Sequence, residues 1–248
     1  MQEPLVFLPG MMCDARLFGP QVTAMSRDVA VTVAPITGGN RIEEIASSLL
    51  DQLPLKFALA GLSMGGIVAM ELLRRAPERV TRIALMDTNS LPETPQTAAD
   101  YEPLITKLKA GLLDQAAASI VRPEYLAPGP ERTSILNLVA KMAENVGCEA
   151  IIRQARALQR RRDYQATLRK CNVPALVMCG EHDTLTPVKR HEFMAGMIPH
   201  ADLAIIRDAG HLPTLEAPDA VTAALRAWIK QPLVLRTKMV RIEQPLAS

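Results

Sequence analysis

Short apolar runs alternate along the chain with longer segments of helical periodicity. Such runs are typical of a parallel sheet that is covered on both faces. Six of them predict strands: Leu5–Leu8, Val29–Ile36, Phe57–Gly61, Arg82–Asp87, Pro174–Gly180 and Asp202–Asp208. Segments with apolar residues three and four positions apart predict helices at Arg41–Leu53, Gly65–Ala76, Val188–Ile198 and Pro218–Lys230. The alternation predicts an α/β fold with a doubly wound, mostly parallel sheet and right-handed crossovers.

The alternation stops in the middle of the chain, over residues 92–170. This stretch carries several helical segments and the proline-rich break "VRPEYLAPGPERT", but no strand-like run. We therefore interpret 92–170 as a helical cap inserted into a core formed by 1–91 and 171–230. The remaining residues, 231–248, are predicted to form a C-terminal tail, either an edge strand or disordered, because chain termini are usually loosely held.

The composition fits a globular protein. Hydrophobic residues make up 48% and charged residues 22% of the 248 residues, and 28 basic against 26 acidic residues give a net charge of +2. This balance predicts neither a nucleic-acid nor a membrane-surface partner. The apolar runs are too short to span a bilayer, no leader segment is evident, and the cysteines form no metal spacing. We expect a cytoplasmic protein with free thiols, and no cofactor or metal.

The segment Gly61-Leu62-Ser63-Met64-Gly65 lies where a predicted strand passes into a predicted helix. A serine hydroxyl is a poor nucleophile unless it is exposed and next to a base. A sharp strand-to-helix turn exposes it, and glycine two positions away on either side leaves room for the turn. The motif therefore predicts Ser63 as a nucleophile.

The base for Ser63 is expected among the histidines. His191 lies in a predicted helix with charged neighbours and His200 follows a proline in a loop, so both are interpreted as surface residues. His211, in "RDAGHLPTLE", follows the last predicted strand of the core. Loops at the carboxyl ends of parallel strands line the ligand crevice, so His211 is the predicted base.

A carboxylate is needed to orient this histidine and to stabilise its protonated form. Asp183 in "GEHDTLTP" lies just beyond the end of a predicted strand and is the first choice. Asp87, which ends the neighbouring predicted strand, is the competing candidate. A cap or loop charge remains the alternative interpretation of either acid.

The chain order Ser63, Asp183, His211 resembles that of the α/β-hydrolase superfamily. The chain is most similar to small bacterial carboxylesterases and enol-lactonases that carry a helical cap and use no cofactor. The resemblance implies that Ser63 attacks the substrate, His211 acts as the base and Asp183 as the acid.

The expected oxyanion hole departs from the family pattern, in which His-Gly follows the first parallel strand. Here the sequence reads Pro9-Gly10-Met11-Met12. We expect the backbone N–H groups of Met11 and Met64 to bind the oxyanion, and proline at position 9 removes neither donor. Methionine side chains there predict either a flexible aliphatic pocket or ordinary core packing, and Cys13 in the same loop is expected to be reachable by thiol reagents.

A basic helix face in the cap is formed by Arg153, Arg156 and Arg160. It is interpreted as a solvated face, or else as a contact for an anionic substrate end or an acidic carrier protein. No phosphate-binding or zinc motif is found.

The predicted function is that of a serine hydrolase that cleaves carboxylic esters, thioesters or lactones through an acyl-enzyme. The alternatives are a C–C bond hydrolase or a perhydrolase with the same triad, and a ligand receptor without catalysis. The sequence predicts neither the acyl specificity nor the oligomeric state.

Overall fold

The computed structural model describes residues 3–233, which form a single sheet of six parallel strands flanked by helices. The strands are β1 (Leu5–Leu8), β2 (Val31–Val33), β3 (Phe57–Leu62), β4 (Val80–Met86), β5 (Ala175–Gly180) and β6 (Ala201–Ile206). They lie side by side in the order β2-β1-β3-β4-β5-β6. The predicted α/β fold is confirmed, although β2, at one edge of the sheet, is shorter than the apolar run that predicts it.

The helices fall between the strands as the periodicity predicts. They are α1 (Gly19–Met25), α2 (Ile42–Leu50), α3 (Met64–Arg75), α4 (Pro95–Ala99), α5 (Tyr101–Lys109), α6 (Leu113–Ile120), α7 (Arg132–Val146), α8 (Cys148–Gln159), α9 (Gln165–Arg169), α10 (Val188–Met197), α11 (Pro213–Glu216) and α12 (Pro218–Ile229). Two short 3-10 helices, Ala15–Phe18 and Pro123–Tyr125, complete the set. Every residue of β1, β3 and β5 is buried, as expected for parallel strands that are covered on both faces.

The stretch 92–170, between β4 and β5, contains helices α4 to α9 and no strand. Its two long helices present apolar stripes to the interior. In α7 the stripe includes Ile135, Val139 and Met142, and in α8 it includes Ile151 and Ala155, all of them buried. The spacing of three and four residues places each stripe on one helix face, and the stripes belong to the same hydrophobic cluster as the strands.

The strand order reverses next to β1. The chain passes from β1 outward to β2 and then returns to form β3 on the other side of β1. At such a reversal the connections leave the sheet in opposite directions and open a crevice at the carboxyl ends of the strands. The loop after β1 and the turn after β3 meet at this crevice.

Four further predictions concern the C-terminal tail, membrane crossing, the cysteines and the location. Residues 234–248 of the predicted tail lie outside the described residues. Within 3–233, no helix combines the length and the apolar character that crossing a membrane requires. All four cysteines are free thiols. The cytoplasmic location stays a prediction.

Candidate active site

Ser63 occupies the sharp turn between β3 and α3. Its φ and ψ are 54° and −117°, a sparsely populated conformation that costs a non-glycine residue about 1–3 kcal/mol. The surrounding backbone enforces it by close approach. A Cβ on Gly61 would lie 2.3 Å from the carbonyl oxygen of Gly65, and a Cβ on Gly65 would lie 2.0 Å from that of Leu8. The two glycines therefore allow the turn to pack against the sheet, and the turn directs Ser63 into the crevice.

The structure brings the three side chains singled out from the sequence within hydrogen-bond distance of one another. The Ser63 Oγ lies 3.1 Å from the Nε2 of His211, and the Nδ1 of His211 lies 2.9 Å from the Oδ2 of Asp183. His211 and Asp183 are each only 3% exposed, whereas Ser63 is half-buried. This chain of contacts can carry a proton away from the serine hydroxyl while the carboxylate fixes the imidazole tautomer.

Asp183 is held as a carboxylate by its own loop. Its Oδ1 accepts hydrogen bonds from the backbone N–H groups of Leu185 at 2.8 Å and Thr186 at 2.9 Å, and its Oδ2 accepts one from the Thr186 hydroxyl. Burial alone would raise the pKa of Asp183, but the adjacent His211 and these hydrogen bonds outweigh it and hold that pKa well below its usual range. Asp183 therefore stays ionised next to the imidazole.

The loop that carries His211 is anchored by Glu216, a residue that the sequence analysis missed. The Glu216 carboxylate accepts hydrogen bonds from the backbone N–H groups of Gly210 at 2.9 Å and Leu212 at 2.8 Å, which flank His211. It accepts a third, at 2.7 Å, from the N–H of Ala127 in the cap. The only signal in the sequence is an acid five positions after His211, which is too common to single out.

Asp87, the competing acid, lies in the same cluster but in a different state. It is fully buried just after β4, where its Oδ1 accepts the N–H of Gly180 at 2.9 Å and its Oδ2 has no hydrogen-bond partner among the described residues. Burial, and secondly the charge of Asp183, raise the pKa of Asp87 well above its usual value. Burial thus favours the protonated form of Asp87, and the imidazole of His211 contacts Asp183 instead.

His191 corrects another expectation, because it is fully buried rather than on the surface. Its Nε2 accepts the backbone N–H of Thr88 at 3.0 Å, and burial lowers its pKa to about 4. His191 is thus a neutral structural acceptor that supports the loop after β4. The charged residues around it in sequence lie on the outer face of α10, which misled the prediction. His200 is half-buried.

The two backbone N–H groups expected to bind the oxyanion make no hydrogen bond to the described residues. Neither the N–H of Met11 nor that of Met64 donates a hydrogen bond within residues 3–233. Met64 is the first residue of α3, directly after Ser63, and its N–H belongs to the positive helix end. Gly10 packs on Ser63, since a Cβ placed there would lie 3.5 Å from the Cβ of Ser63. The loop after β1 therefore reaches the nucleophile.

The next residue of that loop, Met12, is held from the cap. Its backbone N–H donates to the Oε1 of Gln154 in α8 at 2.9 Å, across 142 positions of sequence. Met12 has a φ of 55°, in the left-handed region that costs a non-glycine residue about 1–2 kcal/mol. Sequence reasoning missed Gln154 because a glutamine in an amphipathic helix predicts a solvated position.

The side chains of Met11, Met12 and Met64 are 7%, 0% and 1% exposed and belong to the hydrophobic core. The interpretation as core packing therefore accounts for them. Cys13 is 5% exposed, and burial raises its pKa to about 12. The expectation that thiol reagents reach Cys13 is therefore not supported.

The basic face in the cap is divided among different roles. Arg156 pairs with Glu102, and Arg160 is exposed. The Nε of Arg153 donates to the carbonyl of Thr37 at 3.2 Å, and Arg153 lines a cavity of about 430 Å³. Ser63, Asp183 and His211 do not line this cavity, and contact of the basic face with an anionic substrate end or an acidic carrier protein stays a prediction.

Asp87, Asp183 and His211 also have a spacing that a metal ion could use, with one ligand atom from each within 4.8 Å of the others. However, both imidazole nitrogens of His211 already face other groups, Ser63 and Asp183, at hydrogen-bond distance. A metal would have to break one of these contacts. The hydrogen-bonded arrangement accounts for the cluster, and the absence of a metal or cofactor stays a prediction.

Comparison with known proteins places the chain in a family. The model of the Alpha/beta hydrolase family matches residues 5–224. The chain is 31% identical over 192 residues to a pimeloyl-[acyl-carrier protein] methyl ester esterase of Aromatoleum aromaticum, covering 73% of this chain and 77% of that protein. It is 27% identical over 203 residues to 3-oxoadipate enol-lactonase 2 of Acinetobacter baylyi, with coverages of 78% and 73%.

Solved structures agree with this result. A thermophilic esterase from Thermogutta terrifontis, solved with malate bound, superposes with a TM-score of 0.83 at 26% identity, covering 92% of this chain and 89% of that one. The matches confirm the predicted resemblance to small bacterial esterases and enol-lactonases, and with it the prediction of an ester-acting hydrolase. The chain belongs to the alpha/beta hydrolase family.

Proposed function

We propose that the protein is a serine esterase that works through an acyl-enzyme. The Ser63 Oγ attacks the carbonyl carbon of the substrate, and the Nε2 of His211 accepts the hydroxyl proton. Asp183 stabilises the imidazolium that forms. The N–H groups of Met11 and Met64 donate to the oxygen that becomes negative in the tetrahedral intermediate, where each such donor contributes about 3–4 kcal/mol.

The second half of the reaction uses the same groups. As the tetrahedral intermediate collapses, the bond to the leaving alkoxide breaks and His211 returns the proton to it, which leaves an ester on Ser63. Water then attacks this ester with His211 as base, and the carboxylic acid is released. Atoms and charges balance without a cofactor or metal.

The observation that carries this proposal is the continuous contact from Ser63 through His211 to Asp183 on a strained strand-to-helix turn. A strained backbone conformation persists only where the surroundings enforce it, and it is frequent at functional sites. The ionised state of Asp183 supports the proposal as well, because the acid must remain charged next to the imidazole.

The proposed substrates are small carboxylic esters, with thioesters and lactones as related acyl compounds. This class rests on the relatives, one of which is named as an esterase for a methyl ester on an acyl carrier protein and another as an enol-lactonase. The carbonyl of Tyr125 in the cap accepts the N–H of His211 at 2.7 Å. The cap therefore lies directly on the loop of the base.

The test is a panel of short p-nitrophenyl esters, thioesters and lactones together with a fluorophosphonate probe. We expect turnover of at least one class and covalent labelling of the wild-type protein. Ser63→Ala should lower kcat by at least about 10⁴-fold and abolish labelling without unfolding the protein. Ser134→Ala, an exposed serine in α7, serves as the matched control and should behave as wild type.

Other outcomes point to the alternatives. A protein that is labelled at Ser63 but inert to every ester, thioester and lactone would favour C–C bond hydrolysis, perhydrolysis or ligand reception with the same three residues. A protein that is neither labelled nor active would contradict the proposal.

A further inference from the structure

Gln154 links the cap to the loop after β1. Its side chain is fully buried, and both ends of its amide make hydrogen bonds to the backbone of the core. The Oε1 accepts the N–H of Met12 at 2.9 Å, and the Nε2 donates to the carbonyl of Ile36 at 3.3 Å. One cap residue thereby contacts both the segment that follows β1 and the segment that follows β2.

The bond to Met12 selects one conformation of a turn. The N–H of Cys13 donates to the carbonyl of Gly10 at 3.2 Å, which closes a four-residue turn with Met12 in the third position. A positive φ at that position belongs to type II, where glycine is preferred. In the commoner type I turn φ is negative there, and the peptide between Met11 and Met12 is rotated by about half a turn.

Methionine disfavours the observed turn, so something must hold it. The rotated peptide would turn the N–H of Met12 away from Gln154 and bring the carbonyl of Met11 toward the amide oxygen. The hydrogen bond to Gln154 is therefore available to one turn type alone. Met11, whose open N–H is the proposed oxyanion donor, is the second residue of the same turn.

We propose that Gln154 is a positioning residue of the oxyanion hole. By fixing the N–H of Met12, it keeps the turn in its left-handed form and holds Met11 in place. The N–H of Met11, in the preceding peptide bond, is the group that donates to the oxygen of the reacting carbonyl. The cap thus takes part in catalysis through the backbone. This inference rests on the proposed function, since Met11 matters only if Ser63 attacks a carbonyl.

The experiment compares Gln154→Leu with a matched cap variant, Gln159→Leu. Gln159 lies in the same helix and also bonds through its amide, but to Ala98 and Glu102 within the cap. The kcat and KM are measured on the best ester of the panel, with the inhibition constant of a short alkylboronic acid, which forms a tetrahedral adduct with a reactive serine. Thermal unfolding shows that each variant is folded.

We expect Gln154→Leu to lower kcat by at least about 10-fold and to leave KM within twofold, since an oxyanion donor acts in the transition state. The inhibition constant of the boronic acid should rise about as much as kcat falls. Gln159→Leu should leave all three near the wild-type values. Gln154→Glu is the conservative variant. Burial favours the protonated carboxyl, which can accept from Met12 and donate to Ile36, and kcat should recover most of the loss.

If Gln154→Leu does not fold, Gln154→Met replaces it, because an unbranched side chain of similar length fills the same space. A kcat within twofold of wild type in a folded Leu or Met variant would overturn the inference. So would an equal loss in Gln159→Leu, which would indicate general loosening of the cap. Failure of the proposed function is seen separately, as a wild-type protein without ester turnover.

Discussion

The turn that carries Ser63 and the loop that carries His211 reach the same edge of the sheet by different means. The turn is fixed by contiguous residues, since Gly61 and Gly65 pack on each other and on the end of β1. The His211 loop is fixed from outside, by the Glu216 carboxylate and by the carbonyl of Tyr125 in the cap. The nucleophile is held by close backbone contacts in addition to hydrogen bonds with Met86 and Thr88, and the base by hydrogen bonds.

The difference implies that the two halves of the site fail differently. A close backbone contact cannot relax without moving a strand, so damage to the Ser63 turn should appear as lost stability. Hydrogen bonds to a loop can be replaced in part by water, so damage on the His211 side should appear first as lost activity.

The largest effect is expected from Asp183→Asn, which changes the imidazole of His211 without changing the fold. An amide cannot stabilise the imidazolium and favours the wrong tautomer, and in a comparable triad this lowers kcat about 10⁴-fold. We expect a loss of that order in ester turnover. Unfolding in urea should differ from wild type by much less than the change in activation free energy.

Asp87→Asn is the control for that prediction. It keeps an oxygen for the N–H of Gly180 and removes a carboxyl whose protonated form is favoured by burial. Its kcat should stay within a few-fold of wild type. If Asp87→Asn were the more damaging of the two changes, the acid would have to be reassigned to Asp87.

The next effect is expected from Gly65→Ala, on the other side of the comparison. The added methyl would lie 2.0 Å from the carbonyl oxygen of Leu8, so β1 and α3 must separate. We expect the free energy of unfolding to fall by about 3 kcal/mol or more, at the upper end for overpacking. Gly196→Ala in α10, where a Cβ meets nothing within 4 Å, should instead stabilise by about 0.5–1 kcal/mol. Equal urea midpoints for the two variants would contradict the steric account.

Much of the fold was predictable because burial leaves a pattern of apolar residues in the sequence, continuous in buried strands and periodic in helices. Strands β1, β3 and β5 are buried throughout, and continuous apolar runs mark them closely. The run that predicts β2 extends well beyond Val31–Val33, because an edge strand ends where pairing with its single neighbour ends and not where apolar residues end. Pairing partners are not recorded in local sequence.

The candidate site was predictable only as far as strand ends determine it. Ser63, Asp183 and His211 each follow a strand, and the topology of a parallel sheet brings such residues to one edge. Gln154 contacts backbone groups 142 and 118 positions away. Glu216 contacts two N–H groups of its own loop and one, at Ala127, that lies 89 positions away. Nothing in their neighbours distinguishes them from solvated residues, and only the folded contacts assign them a role.

A smaller effect is expected from Glu216→Ala, which removes the anchor of the His211 loop. Three backbone N–H groups lose their acceptor, at Gly210, Leu212 and Ala127, and water can reach some of them because Glu216 is half-buried. We expect a loss of about 2 kcal/mol in unfolding free energy and a roughly 10-fold lower kcat.

Two further variants sharpen this result. Glu216→Gln keeps one acceptor oxygen and should lose less than the alanine variant. Glu124→Ala, which removes an exposed carboxylate from the neighbouring 3-10 helix of the cap, should change stability by less than about 0.5 kcal/mol. A Glu216→Ala variant with lower stability but unchanged kcat would show that the loop does not need its anchor.

The smallest effect is a pH dependence at Asp87, where the two sides of the site meet. Its pKa is raised in the folded protein, so above the unfolded value of about 3.9 the unfolded chain gives up a proton that the folded chain keeps. This contribution to stability is complete below that pH and is lost as the pH rises toward the folded pKa, at up to about 1.4 kcal/mol per pH unit. Asp87→Asn lacks this loss. Its unfolding free energy relative to wild type should therefore rise between pH 5 and 6, by at most about 1.4 kcal/mol, in urea titrations. A relative stability that stayed constant or fell over this interval would mean that Asp87 is ionised in the folded protein, and that two carboxylates share the charge beside His211.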